Sequence, residues 1–461
     1  MNFFLTLLLL FVGLHNTGFA GEPITPVKIT PPLADSIISI ALTELTGYNL
    51  LGEICKIGPR LSGSEQSIKA IMFAKQKMEQ MGFDTVWLQK TMVPHWERGD
   101  VEEAFHIREG NMNRKLSIAA LGGSVETPQN GLTAEVIEIS SYDELKARAN
   151  EVKGKIVFYN VPFDHSLVNT FSGYGKAVRF RSTGAIEAAR YGAVAAILRS
   201  ITTRNDNTPH VGMIRYDTTI VKIPFVAIGI QDADYLSKSI ASDQNTRITL
   251  RLNCKTNPDA ESYNLICEIK GSVLPNEIIV VSGHYDSWDQ GDGAHDDAAG
   301  CVQGLESLYI IKKLQLKPSR TLRCIFYMNE ENGVRGARTY ADFAHAASDI
   351  HYAAIESDRG AFTPRGFSVD SDSATIAHMQ QWLPLLNRTG IEWIRKGGSG
   401  VDISFLQNTK ALIGYVPDDQ RYFDYHHSAN DVFSEVNPRE FALGSAAITL
   451  LALLISEEGL E

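Results

Sequence analysis

Four times in the second half of this chain, an apolar run of strand character ends directly in carboxylates or histidines. "IIVV" (278–281) is followed by His284 and Asp286, and "LRCIFYM" (322–328) by Asn329, Glu330 and Glu331. "HYAAI" (351–355) leads to Glu356 and Asp358, and "ALIGYV" (411–416) to acids and then to "HHSAND", with His426 and His427. Apolar runs separated by helical stretches predict strands buried on both faces, and so a mixed, mostly parallel sheet covered by helices in an α/β fold. In open sheets of this kind functional groups gather at the carboxyl ends of the strands. A solvated loop would account for one acidic strand end. Four such ends supply imidazole and carboxylate together, the two donor types of hydrolytic zinc sites.

The densest stretch is "SGHYDSWDQGDGAHDDAAG", residues 282–300, with two histidines and five aspartates. It is not a calcium loop of the EF-hand kind. Counted from Asp286, the third position is Trp288 and the twelfth is Asp297, where an oxygen ligand and a glutamate are required. "GDGAHD" has aspartate where a dinucleotide fingerprint needs its third glycine, and the chain contains no G-x-S-x-G nucleophile elbow. A metal site is the reading that accounts for the pattern.

The chain of 461 residues is too long for one ordinary domain, so two are expected. Its net charge of -11, with no cluster of Lys and Arg, excludes a nucleic-acid partner and points to small substrates. Residues 1–20 read as a signal peptide: a polar start, an apolar run too short to span a bilayer, then Gly18 and Ala20. Secretion, or delivery to a lysosomal or other secretory-pathway compartment, follows. The apolar stretch "FALGSAAITLLALLI" near the C-terminus is read as a buried terminal helix and not as a membrane anchor. Between about 124 and 258 the pattern changes to short strands and helices, which suggests an inserted domain dividing the α/β body into residues 46–123 and 259–461. Among five cysteines, Cys254 and Cys267 form a candidate disulfide, while Cys301 and Cys324 lie in segments that read as buried. Asn387 heads the one N-x-[ST] sequon and is a candidate glycosylation site.

In chain order, "GHYDSW", "GAHDDAAG", "NEENG", "ESDRG" and "YHHSAND" resemble the motifs of the co-catalytic di-zinc exopeptidases, a family that includes bacterial aminopeptidases and glutamate carboxypeptidases. The resemblance implies the zinc-exopeptidase fold, with residues 124–258 as a protease-associated domain, two zinc ions per chain, a short propeptide with the first helix in residues 21–45, and a homodimer. By motif position, His284 and Asp358 would hold one ion, Glu331 and His427 the other, and Asp296 would bridge both. Glu330 would be the general base acting on a metal-bridging water. Asp286 would accept the second ring N–H of His284 and fix its tautomer. A cis peptide is implied between Asp296 and Asp297. His295 and His426 stand beside ligand positions without occupying them, and Asp289 and Asp292 read as loop acids. For the substrate amine, Asp402 in "GVDISF" and Glu356 are candidates. Arg359, Arg179 and Arg181 are candidates for the substrate carboxylate.

Two departures from the family pattern stand out. Val432 follows Asp431 where Asp-Thr is usual, although the aspartate expected near His427 is kept, and Arg335 stands where relatives carry an uncharged residue. The expected function is hydrolysis of dipeptides or short peptides with free termini. The alternatives are a non-catalytic binding relative, as among transferrin-receptor-like proteins, and an acyl or cyclising reaction as in glutaminyl cyclases. All five ligands and the base are present, which argues against the first of these.

Overall fold

The structure, a computed structural model, describes residues 27–108, 112–347 and 350–461. The expected signal peptide lies outside the described residues, as does the start of the 21–45 segment. The strands form two eight-stranded sheets. At the centre of the first, Arg320–Tyr327, Leu274–His284, Ile350–Glu356 and Ala411–Pro417 run parallel to one another. On one side Lys255–Ile269 runs antiparallel to this group and Thr85–Glu97 antiparallel to Lys255–Ile269, and on the other Pro364–Asp370, carrying Trp393–Lys396 parallel to it, runs antiparallel to Ala411–Pro417. The sheet is therefore mixed with a parallel core, as expected.

The uncharged character of "IIVV" follows from its surroundings. Side chains alternate between the faces of a strand. Ile279 and Val281 enter the main core with Leu305 and Leu451, while Ile278 and Val280 enter a second cluster on the opposite face with Tyr340 and Ile403. The helices Ala299–Lys313 and Pro438–Glu458 pack on each other and on this sheet. Pro438–Glu458 is long and apolar enough to cross a membrane, with a mean hydropathy of 1.6, but 83% of its apolar window is buried. It is the buried terminal helix the composition suggested.

The second sheet is built from residues between Glu102 and Leu252 and encloses its own apolar core around Phe158, Phe180, Ile197 and Phe225. The chain leaves the first sheet after Glu97 and returns at Lys255, and these two residues are register partners. The expected boundaries of 124 and 258 are corrected on this point. Glu102–Ile107, Arg114–Leu116 and Ile118–Ala120 all pair within the second sheet, while residues 255–258 belong to the long strand of the first. The exit is a turn at Gly99, whose φ of +80° favours glycine and where a Cβ would strike Asn253. Buried Arg98 beside it reaches both Asp289 and Glu102.

The cysteine expectation also needs correction, because all five cysteines are free and buried. Cys254 sits in the second core and Cys267 in the first, near opposite ends of one long strand. At roughly 3.3 Å per residue they are about 40 Å apart, far beyond the reach of a disulfide. Cys267 instead faces Cys324 across the antiparallel pair.

Candidate metal centre

Each site residue owes its place to the end of a parallel strand. His284 is the last residue of Leu274–His284 and lies opposite Tyr327. Asn329, Glu330 and Glu331 follow Arg320–Tyr327, and Asp358 follows Ile350–Glu356. His427 lies in the loop after Ala411–Pro417, and Asp296 and Asp297, joined by a cis peptide, precede Ala299–Lys313.

These residues converge on Asp296. His284 Nε2 lies 3.2 Å from Asp296 Oδ1 and 3.4 Å from Asp358 Oδ1. On the other side, His427 Nε2 lies 3.4 Å from Asp296 Oδ2 and 3.0 Å from Glu331 Oε2. The five residues singled out in the sequence thus form two trios sharing one carboxylate. Glu330 Oε2 stands 4.0 Å from His284 Nε2 and belongs to neither trio. His426 is a rival for the second: its Nε2 is 3.9 Å from Asp296 Oδ2, and its ring stacks on His427 at 3.5 Å. Glu331 fits better, because it brings negative charge, lies 3.0 Å from His427 Nε2 and has its other oxygen buried without a partner.

Burial sets the electrostatics. It pushes the Glu330 and Glu331 carboxyls well above their ordinary range, and the nearby carboxylates Asp358 and Asp296 respectively push them further. The His427 imidazole is pushed down to about 3 by burial, with Arg181 adding to the effect against the pull of Asp296. A neutral imidazole is the form that ligates. Asp296 Oδ2 and Glu331 Oε1 are both buried without a hydrogen-bond partner. Buried carboxylate oxygens are costly unless a cation or donor meets them. The donor set therefore fits divalent cations at the two trios.

The support around the ligands corrects two expectations. The His284 Nδ1–H is accepted by the main-chain carbonyl of Asp286 at 3.0 Å, while the Asp286 carboxylate is 3.8 Å away. That carboxylate accepts instead from the backbone N–H groups of Asn329, Glu330 and Glu331 at 2.7, 3.0 and 3.3 Å and from Ser62 Oγ at 2.8 Å. Asp286 therefore shapes the glutamate loop as well as the histidine. Asp431, expected near His427, accepts the backbone N–H groups of His295 and Asp296 at 2.7 and 3.1 Å. Asp297 accepts His284 N–H at 3.1 Å.

Of the substrate candidates, Asp402 is 1% exposed with both carboxylate oxygens unpartnered. Glu356 accepts the backbone N–H of Ile403 at 2.8 Å, and its carboxyl is pushed up to about 7 by burial and Asp358. Arg181 reaches the centre, with Nη1 3.3 Å from His427 Nδ1. Arg359 lies over the Phe171 ring at 4.6 Å. Arg179 is not brought in: it lies exposed over Tyr142 and Phe180. His295 is sandwiched between Phe362 and Tyr425, away from the trios. Asp289 and Asp292 are loop acids, tied to Arg98 and to the Phe433 N–H. Arg335 pairs with Asp259 on the outer strands.

Sequence reasoning missed Arg60. Fully buried, it donates to the carbonyls of Tyr285, Asp292 and Gly293 at 2.8, 2.6 and 2.8 Å and so braces the aspartate loop. Its signal in the sequence is "GPRLSGS" (58–64), a lone arginine inside a glycine and proline turn.

Comparison with known proteins agrees with this geometry. Residues 264–451 match the profile described as Peptidase family M28. The chain is 36% identical to carboxypeptidase Q of Mus musculus over 92% of its length and 89% of that protein's. It is 37% identical to the Homo sapiens carboxypeptidase Q over the same shares. Among solved structures, a peptidase M28 precursor from Shewanella amazonensis superposes with a TM-score of 0.88 at 33% identity, covering 93% of this chain and 96% of that one. A zinc aminopeptidase from Bacillus subtilis shares the fold at a TM-score of 0.61 and 19% identity, over 93% of this chain and 95% of its own.

Proposed function

The chain belongs to peptidase family M28, a metallopeptidase related to carboxypeptidase Q, and on that premise we propose that it is a secreted di-zinc exopeptidase hydrolysing dipeptides or short peptides with free termini. The observation that carries this reading is Asp296, which turns one oxygen to His284 and the other to His427. In the proposal His284 and Asp358 hold one ion, Glu331 and His427 the other, and Asp296 touches both. Bound there, zinc, which suits these imidazole and carboxylate donors, would polarise the scissile carbonyl and lower the pKa of water.

The chain's own groups do the rest. Glu330 is not committed to either trio, takes the proton of the attacking water and returns it to the leaving amine. Asp286 fixes both the His284 ring and the backbone carrying Glu330, so acid–base group and ligand keep one geometry. Asp402, with Glu356 beside it, receives the substrate ammonium. Arg181 is favoured over Arg359 for the substrate carboxylate because it is the arginine that reaches the His427 edge.

The second-sheet unit is read as a protease-associated domain forming one wall of the cleft. Secretion rests on residues 1–20, and Asn387, which is exposed, is the proposed glycan site. A homodimer is proposed from the family resemblance and is checked by sedimentation velocity. The direct test of function uses purified mature protein and unblocked dipeptides. A chelator should abolish cleavage, and zinc should restore it. Chelator-resistant cleavage would sink the metallopeptidase mechanism.

A further inference from the structure

The second-sheet unit does more than wall the cleft, because part of it is moulded onto the His426–His427 segment. Val211 and His427 bond to each other twice: the Val211 N–H donates to the His427 carbonyl at 2.8 Å, and His427 Nδ1 lies 3.2 Å from the Val211 carbonyl. On either side, His210 Nδ1 donates to the His426 carbonyl at 2.8 Å, and His210 bridges Ser428 as a single antiparallel pair. Thr202 Oγ1 donates to the Phe423 carbonyl at 2.8 Å, and Asn430 Nδ2 donates to Asp206 Oδ2 at 2.9 Å. Every one of these bonds crosses from the second unit to the first.

Two physical requirements make the contact consequential. A histidine that offers the Nε2 lone pair must carry its proton on Nδ1. The Val211 carbonyl, which only accepts, selects that tautomer, and Arg181 Nη1, 3.3 Å from His427 Nδ1, has the same carbonyl as its acceptor at 3.3 Å. His427 also has φ of +58°, a left-handed backbone that non-glycine residues adopt rarely and keep only when their surroundings hold it. His284 is held from the first unit alone: its ring Nδ1–H is accepted by the Asp286 carbonyl, and its backbone N–H is accepted by Asp297.

Resting on the two-ion reading above, we propose that the Thr202–Gly212 segment of the second unit is a positioning element for His427, so that the ion held with Glu331 depends on that unit while the ion held with Asp358 does not. His210 is its key side chain and Gly212 its key turn, since Gly212 has φ of +134° and a Cβ there would run into the Arg181 guanidinium.

The test titrates zinc on the full mature chain, with retained metal measured by elemental analysis across a graded chelator series. The wild type should hold two ions. His210→Ala and Gly212→Ala should release one of them at chelator concentrations about 10-fold or more lower, the scale on which groups orienting a metal ligand act. His210→Asn, which keeps an N–H near the Nδ1 position, should restore retention. In an Asp358→Ala background His210→Ala should weaken the remaining ion, whereas in a Glu331→Ala background it should leave the remaining ion unchanged. His210→Ala carries the test should Gly212→Ala not fold. Unchanged release, or equal weakening of both ions as general loosening would give, overturns the positioning role. A wild type holding fewer than two ions overturns the two-ion reading itself, and this inference with it.

Discussion

The carboxylate of Asp286 accepts the backbone N–H of Glu330 at 3.0 Å, although the two residues lie in the loops after two different strands of the sheet. The loop that carries the proposed base Glu330 and the proposed ligand Glu331 is therefore folded onto the end of the strand that carries His284. Asp286→Asn would put an amide group where Oδ2 now accepts from the Glu331 N–H and Ser62. We expect kcat to fall by about 10-fold or more, with zinc held less tightly on the Glu331 side. A variant with wild-type turnover and wild-type zinc retention would show that the loop holds its shape without Asp286.

Glu330→Gln tests the base itself. Glu330 lies outside both trios, so the variant should keep its full zinc content. Loss of the proton acceptor should lower kcat by on the order of 10²-fold or more. Turnover near normal with full metal would move the base to another residue.

The strand ends that converge on Asp296 could be located in the sequence because the parallel core is buried on both faces. Any charge directly after "IIVV" or "LRCIFYM" marks a strand end, and the strand ends of one sheet meet in space. The supporting groups carried no such mark. Arg60 acts through three main-chain carbonyls, the Asp286 carboxylate acts on main-chain N–H groups, and Val211 acts through its own backbone. Hydrogen bonds of this kind place no demand on the partner's side chain, so no motif records them. The exit from the first sheet was misplaced for a related reason. The register between Glu97 and Lys255 is long-range, while the change of composition that signals the second unit becomes visible only at about residue 124, 27 residues after Glu97.

Asp296→Ala separates the shared ligand from the others. One carboxylate serves both trios, so its loss should lower zinc at both sites. His284→Ala or His427→Ala should chiefly weaken one. Elemental analysis of the three variants side by side decides the matter. Two ions retained by Asp296→Ala would rule out the bridging role.

The last prediction concerns what the cleft reads. Ions held by the two trios would polarise any peptide carbonyl, so a preference for free termini must come from charged groups beyond them. Asp402, buried with two unpartnered oxygens, is the acid proposed to meet a substrate ammonium, and Arg181 at the His427 edge supplies positive charge. Leaving such a group unpaired in a complex costs on the order of 1 to 3 kcal/mol, and more when it is charged. N-acetylation of a dipeptide should therefore lower kcat/KM by about 10-fold or more, and C-amidation should do the same through Arg181. Arg181→Ala should reduce the penalty for amidation while leaving the penalty for acetylation in place, and Asp402→Asn should do the reverse. Kinetics of the four substrate forms on the three proteins would resolve these terms. If doubly blocked peptides are cleaved as fast as free dipeptides, the termini are not read and the exopeptidase proposal fails, while the metal centre stands untouched.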